Sequence, residues 1–316
     1  MRVSPNSWWV KAGLQWGMSL SSDPQRLNQL FKKHVTKSDH LTPDYLAWKH
    51  ANVERHVDNA TKYGTGIRGA HVLELGTGWF PIVPVGLALA GADRVTTVDR
   101  QDLLNLDRIR QAMELHRSLL ADGVIDLPGP DAPPVADALA RLDEAIGAAS
   151  EAGATPRSVL AQLGIEALVD DATQLELDRP VDVFVSNDVF EHIPGSVVVE
   201  ILANYRRLAG TDAIGSHFIN LADHYASFDS SITPFHFLQF EGWRWKVVNN
   251  ELQYHNRLRI DDHRRLQRDG GWTVVAEDNA RGELGDLRSV ALAPEFRDRL
   301  EDDLLVTSTW LVSRPT

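Results

Sequence analysis

Cysteine is absent from all 316 residues, which excludes disulfides and thiolate metal sites and permits a reducing compartment. No run of about 18 apolar residues occurs, so no membrane-spanning helix is expected. The first twenty residues carry Trp8, Trp9 and Trp16 among polar side chains and lack the continuous apolar core of a secretory signal. A soluble, cytoplasmic protein is the expectation. Basic charge is also scarce: 32 Lys and Arg stand against 44 Asp and Glu, for a formal net charge of −12. Without a strongly basic face little is available to displace counterions from phosphates, so neither nucleic acid nor a membrane is expected as a partner. Local pairs such as Arg264–Arg265 read as solvated helix faces.

What is present suits a sizeable globular core, with 43% hydrophobic and 24% charged residues. Short β-like runs at His71–Leu75, Arg94–Asp99, Glu166–Asp170 and Val181–Asn187 are followed by further candidates at Ala213–Asn220, Trp272–Glu277 and Val306–Val312. Helical stretches fall between them at Pro84–Ala90, Leu103–Ala121, Ser196–Leu208 and Asp261–Gln267. Strands alternating with helices predict an α/β fold, a mostly parallel sheet covered on both faces. The direction of the last strands stays open. Three segments break the rhythm. Residues 1–66 read as a helical N-terminal extension or lid, helical from Pro43 to Tyr63 with Trp48 on an apolar face. Residues 122–160 hold a Pro/Gly-rich loop and the Ala-rich run Val135–Ala149, read as a surface or dimer helix. Residues 221–260, crowded with aromatics and histidines, read as a substrate lid on the main domain, residues 67–316.

The strongest local signal is His71-Val72-Leu73-Glu74-Leu75-Gly76-Thr77-Gly78-Trp79, an apolar strand running into a turn with two glycines and then a helix. Gly76 and Gly78 permit a sharp turn and close approach of a ligand where a Cβ would collide. Asp99, with Arg100 beside it, closes the next strand about 20 residues on, where a carboxylate accepts the hydroxyls of a ribose. Asp170-Asp171-Ala172 closes the third strand and is placed to meet an adenine amine; Asn187-Asp188 closes the fourth. Ligands of such sheets bind outside the carboxyl ends of the strands, so these four positions converge on one nucleoside-sized crevice.

Glu74-Leu75-Gly76-Thr77-Gly78, Asp99, Asp171-Ala172 and Ser186-Asn187-Asp188-Val189-Phe190-Glu191-His192-Ile193-Pro194 resemble the ordered motifs of the class I S-adenosylmethionine-dependent methyltransferases. The resemblance covers residues 67–220 strongly and the C-terminal strands more loosely. It implies a Rossmann-like fold of seven strands, with S-adenosylmethionine as cofactor and S-adenosylhomocysteine as product. It also implies the glycine turn against the methionyl part, Asp99 on the ribose and Asp171 near the adenine. Phe80-Pro81 depart from the pattern, standing where many members have a small residue; Pro81 can still open a helix.

A dinucleotide fingerprint requires Gly or Ala where Pro81 stands, and Glu74 precedes the turn. A carboxylate there repels a pyrophosphate and tolerates a cationic sulfonium, so a nicotinamide-dependent oxidoreductase is the weaker reading. A regulatory protein that binds the cofactor without chemistry is the other alternative.

Methyl transfer is an in-line displacement that needs near-attack positioning and exclusion of water, and a base only where the acceptor holds its proton firmly. The expected acceptor is a small organic molecule, with O-methylation ahead of N- or C-methylation. His224 is the first candidate base, with Asp223 as a possible orienting partner, and His192 is the rival. Tyr225, His236, Tyr254 and Arg257 are the expected substrate-binding residues within the 221–260 segment. Arg257 and Arg259 suit a substrate carboxylate or phosphate, or equally an ion pair with Asp261 or Asp262. No HExxH spacing occurs, and no metal is expected. A homodimer is possible.

Overall fold

The computed structural model describes residues 8, 9, 13, 41–249 and 254–316; Trp16 and most of the first forty residues lie outside them. Strands β1 (His71–Leu75), β2 (Arg94–Asp99), β3 (Ile165–Val169), β4 (Val181–Asn187), β5 (Ala209–Asn220), β6 (Trp272–Arg281) and β7 (Val306–Pro315) form one sheet. Their order is β3-β2-β1-β4-β5-β7-β6. The first five are mutually parallel, and β7 runs antiparallel to both its neighbours. The antiparallel strand left open by the sequence is therefore β7. Every residue of β1 is buried, as a parallel strand covered on both faces requires. Edge strand β3 instead alternates, with Glu166 outward.

Side chains alternate across β4. Val183 and Val185 join the core shared with α1 (Pro43–Tyr63), α2 (Ile82–Leu89), α3 (Leu106–Ala121), α4 (Val135–Ala148) and α5 (Pro156–Ala161). Phe184 points the other way, toward α6 (Gly195–Leu208) and the sequence around α7 (Ile260–Asp269). There its ring stacks on Tyr205 at 4.8 Å and meets Trp272 edge-on at 5.4 Å. The fold is a Rossmann-like α/β sandwich with helices on both faces of the sheet.

Helix α1 is well specified locally: Thr42 caps it through Tyr45 N–H at 3.2 Å, Pro43 opens it and Gly64 follows its end. It is an integral layer of the fold rather than an appendage, since Leu46, Val53, Val57 and Ala60 are buried in the main core. Val53 lies so close to α2 that a Cβ on Gly86 would come within 2.7 Å of its Cγ2. Trp48, expected on the apolar face, is instead 53% exposed, because the buried stripe runs through residues 46, 53, 57 and 60. In the 122–160 segment α4 packs through Ala138, Leu142 and Ala145, and Arg141 donates to the carbonyls of Ala88 (2.8 Å) and Leu163 (2.9 Å). Among the described residues no helix is long and apolar enough to cross a membrane.

From β1 the chain moves outward through β2 to β3, then returns to the other side of β1 with β4. The carboxyl ends of β1 and β4 therefore diverge into a crevice, the position where open α/β sheets bind ligands.

Candidate functional site

On the β1 side of the crevice, Gly76 and Gly78 adopt φ of +87° and +66°, the left-handed region open to glycine. A Cβ at Gly76 would also meet Val189 Cγ2 at 2.5 Å, whereas among the described residues nothing lies within 4 Å of one at Gly78. The turn is pinned to the next strand end: Gly78 N–H donates to Asp99 Oδ2 (3.1 Å), and Gln101 N–H to Asp99 Oδ1 (3.0 Å). Asp99 is thus held in one orientation by two amides, with lone pairs remaining on both oxygens. Arg108 of α3 stacks over Trp79 at 4.3 Å, closing the outer side of the turn.

Glu74 does not offer the open carboxylate that the sequence implied. It is buried, and burial raises its pKa to about 8, against the lowering effect of the Thr97 hydrogen bond. Thr97 donates to Glu74 Oε2 (2.7 Å), and the hydroxyls of Thr77 and Thr97 are hydrogen-bonded to each other at 2.6 Å. Burial therefore favours the protonated form of Glu74. Burial thus weighs against the negative charge that was expected to discriminate against a pyrophosphate.

At the end of β3, Asp170 accepts from Asp171 N–H (2.7 Å). Asp171 accepts from both the backbone N–H (2.9 Å) and the hydroxyl (2.8 Å) of Thr173, bonds that lower its pKa. Both carboxylates are exposed, as is Arg100, whose charge acts favourably on Asp171. Ala172 is buried, and its carbonyl accepts from Asn204 of α6 (3.0 Å).

The β4 side is built largely by residues that sequence reasoning missed. Lys49, Asn52, His56 and Asn59 recur at spacings of three and four along α1 and form one polar stripe. Lys49 Nζ lies 2.6 Å from Asp188 Oδ2. Asp188 has φ +55°, an uncommon conformation for a residue with a side chain. Asn59 donates to Ser216 Oγ (3.0 Å). Asn187 Oδ1 can only accept, so His56 Nε2–H donates to it (3.2 Å), and Nδ1 of the neutral ring accepts from Ser216 Oγ (2.9 Å). Burial lowers the His56 pKa to about 3, so this relay is neutral. The signal for it was the spacing of α1's polar residues, each an ordinary surface residue when taken alone.

Beyond Asp188 a short turn, Phe190–His192, brings Glu191 and His192 to the crevice. Asn256 fixes this turn by donating to the carbonyls of Phe190 (2.7 Å) and Ile193 (2.8 Å). His192 Nδ1–H donates to the Tyr254 carbonyl (2.7 Å). His224 opens the turn after β5; its ring stacks on His255 at 4.1 Å and meets His192 edge-on at 5.1 Å. Burial first, and His192 second, lower its pKa to about 4. Glu191 is fully buried, and burial followed by the charge of Asp188 raises its pKa. Its Oε1 accepts from Asn220 N–H (3.3 Å), while its Oε2 has no partner among the described residues.

Asp223 does not orient His224. It accepts from Tyr225 N–H (2.9 Å) and from His236 Nδ1 (3.3 Å), so the pairing falls on the other histidine. Trp8 reaches this corner, its N–H on Asp229 Oδ2 (2.8 Å) and its ring against His236 at 4.8 Å and Tyr225 at 6.4 Å. Tyr225 is buried, its pKa pushed up to about 12 by burial. Arg257 is committed elsewhere: it donates to the Phe237 and Phe240 carbonyls and pairs with Glu295 (2.9 Å). Arg259 is wholly buried and holds the carbonyls of Leu221, Leu304 and Val306. Neither arginine is placed to clamp a substrate anion, and Asp261 and Asp262 pair with Arg299. Phe235, Phe237 and Trp245 pack with Leu287, Phe296 and Leu304 into a small core of their own, so these aromatics of the lid segment do not wall a pocket. A cleft of about 340 Å³ lined by Gly64–Arg68 and Pro128–Ala132 lies at the opposite end of the sheet, remote from these groups.

No protein-family model and no curated protein matches this sequence. Among solved structures the chain is similar to magnesium protoporphyrin IX methyltransferase from Synechocystis PCC 6803 with bound SAH. The two share 13% identity at a TM-score of 0.45, over 85% of this chain and 83% of the other. It is also similar to the pyocyanin biosynthetic protein PhzM (13%, TM-score 0.42, 95% of this chain and 60% of the other). Geranyl diphosphate C-methyltransferase from Streptomyces coelicolor A3(2) gives 11% and 0.44, over 84% and 78%.

Proposed function

We propose that the crevice at the carboxyl ends of β1 to β4 binds S-adenosylmethionine and that its methyl group passes to a small organic acceptor, oxygen being the favoured atom. The observation that carries this reading is the hydrogen bond from Gly78 N–H to Asp99 at 3.1 Å. It joins the glycine turn and the acidic strand end into one unit at the topological switch point. In this reading the turn Gly76-Thr77-Gly78 packs against the methionyl chain, and Asp99 accepts the ribose hydroxyls. Asp170, Asp171, Ala172 and Arg100 border the adenine, and Asn187 and Asp188 form the floor. Glu74, buried and hydrogen-bonded to Thr97, supports the turn from beneath.

The acceptor side is the face formed by His192, His224 and Tyr225, with His236 and Tyr254 at its margin. Reaction there is a displacement: the acceptor's lone pair forms the bond to carbon while the S–CH3 electrons return to sulfur. The protein's share is alignment and exclusion of water.

Calorimetric titration of the full chain with S-adenosylhomocysteine and with NAD tests the cofactor. Binding of the homocysteine compound alone is expected; binding of NAD alone overturns the reading. Release of S-adenosylhomocysteine from S-adenosylmethionine across a panel of phenols, carboxylic acids and amines tests the chemistry. Tight binding without turnover on any acceptor would favour a regulatory cofactor-binding protein.

A further inference from the structure

The histidines at the mouth of the crevice are grouped with a carboxylate that the mechanism above does not use. Donor atoms of Glu191, His192 and His224 all lie within 4.8 Å of one another. Bonds of about 2.0–2.2 Å to one ion place donors roughly 3–4 Å apart, so a contraction of about an ångström closes the set.

Two further observations point to a ligand. Glu191 is fully buried, yet among the described residues its Oε2 has no hydrogen-bond partner, and His224 Nε2 is likewise buried without one. Orphaned buried acceptors cost stability unless something occupies them. Then there is the tautomer of His192: its Nδ1–H donates to the Tyr254 carbonyl, which leaves the lone pair on Nε2. A backbone carbonyl behind the imidazole is the usual outer-shell support of a metal-binding histidine. Asn256 holds the Glu191–His192 turn rigid from behind. His192 is exposed while Glu191 is buried, so the group is closed on the protein side and open toward the crevice.

We propose that Glu191, His192 and His224 bind a divalent transition-metal ion, of the zinc, manganese or cobalt class, whose remaining positions face the acceptor. Two imidazoles and one carboxylate suit such ions and not magnesium or calcium, which take oxygen donors. Three protein ligands with an open position is the pattern of a metal that binds substrate rather than one that only supports the fold. The acceptor class follows: a molecule with a hydroxyl or adjacent oxygens able to enter the open positions. Resting on the methyl-transfer reading, coordination acidifies that hydroxyl. Its proton leaves to solvent, and the oxygen then takes the methyl from sulfur.

The test uses the full chain, stripped with a chelator and titrated with cobalt(II) and with zinc(II), followed by visible ligand-field absorption and by calorimetry. One ion per chain is expected. Glu191→Gln keeps an acceptor for Asn220 N–H, and His224→Ala removes no hydrogen bond made by the ring Nε2, so circular dichroism should show both folded. Each should weaken binding roughly tenfold or more, since loss of even an outer-shell partner costs about 10–100-fold. No ion uptake, or unchanged affinity in both variants, overturns the site. Titration with S-adenosylhomocysteine on the same metal-free protein separates the two readings. Cofactor binding without ion uptake defeats the metal alone, and ion uptake without cofactor binding defeats the methyl-transfer reading alone.

Discussion

Lys49 of α1 reaches to 2.6 Å from Asp188, the residue that closes β4 in a left-handed conformation. This contact joins a helix that precedes the sheet in sequence to the floor of the crevice, and both side chains are largely buried. A cation is thereby supplied to a strand end that would otherwise present only carboxylate.

Lys49→Met keeps the apolar stem and leaves Asp188 without its partner. Breaking a pair of this burial is expected to cost about 1–3 kcal/mol, between the exposed and fully buried cases. Asp188→Asn tolerates the left-handed backbone and removes the charge, so the double variant should recover part of the loss. Urea denaturation of the four proteins reads the coupling directly.

Asp99 anchors Gly78 and faces the proposed ribose position. Asp99→Ala removes the carboxylate and the anchor together, and each charge-assisted hydrogen bond to a ribose hydroxyl is worth roughly 1.5–3 kcal/mol. Calorimetry with S-adenosylhomocysteine should show affinity falling by about two orders of magnitude or more. Unaltered affinity would place the cofactor elsewhere.

The two glycines of the turn should differ in their tolerance. Gly78→Ala meets no neighbour among the described residues and incurs the left-handed penalty of about 1–2 kcal/mol. Gly76→Ala adds a collision at 2.5 Å with Val189, so either the turn or the Val189 side chain must shift. Thermal melts should rank Gly76→Ala as clearly the less stable variant.

His56 and His116 are buried neutral, and burial lowers each pKa to about 3. The unfolded chain takes up protons near the ordinary value of 6.5 and the folded chain does not. Their contribution to stability is therefore whole above pH 6.5 and is lost as pH falls toward 3. Melting temperature measured between pH 7.5 and 4 should fall steadily, and His116→Gln should shallow that slope.

Glu74 works in the opposite direction. Its folded pKa of about 8 exceeds the ordinary 4.5, so the folded state holds the extra proton. Its contribution is whole below pH 4.5 and is lost as pH rises through 8. Glu74→Gln, which stays neutral, should gain stability over the native protein progressively between pH 5 and 9. Urea midpoints at a series of pH values measure that difference.

Much of the architecture was legible because its signals are local. A strand buried on both faces must be apolar throughout, which made β1 and β4 readable, and α1 begins at Pro43 and ends at Tyr63 as its cap and period imply. Boundaries drifted where a cap decided them: α3 starts at Leu106 because Asn105 Oδ1 accepts Arg108 N–H. Helix α2 begins before Pro84, since a proline in the first turn forfeits no hydrogen bond. Helix α5 went unread, its capping box of Thr155 and Ser158 enclosing only six residues.

The site divided along the same line. Gly76, Gly78, Asp99, Asp171 and Asp188 sit at strand ends, where position in the chain already implies position in space. Lys49, His56 and Asn59 depend on which face α1 turns to the sheet, and Arg257 and Asp223 on partners that only the fold supplies.

The sequence by itself determined an α/β sheet with a glycine turn and acidic strand ends, because backbone conformation and period are properties of neighbouring residues. Tertiary structure alone decided the direction of β7, the burial of Glu74, the diversion of Asp223 to His236 and the meeting of Glu191, His192 and His224. Each of these depends on burial or on contact between distant segments, and both come into being only when the chain has closed on itself.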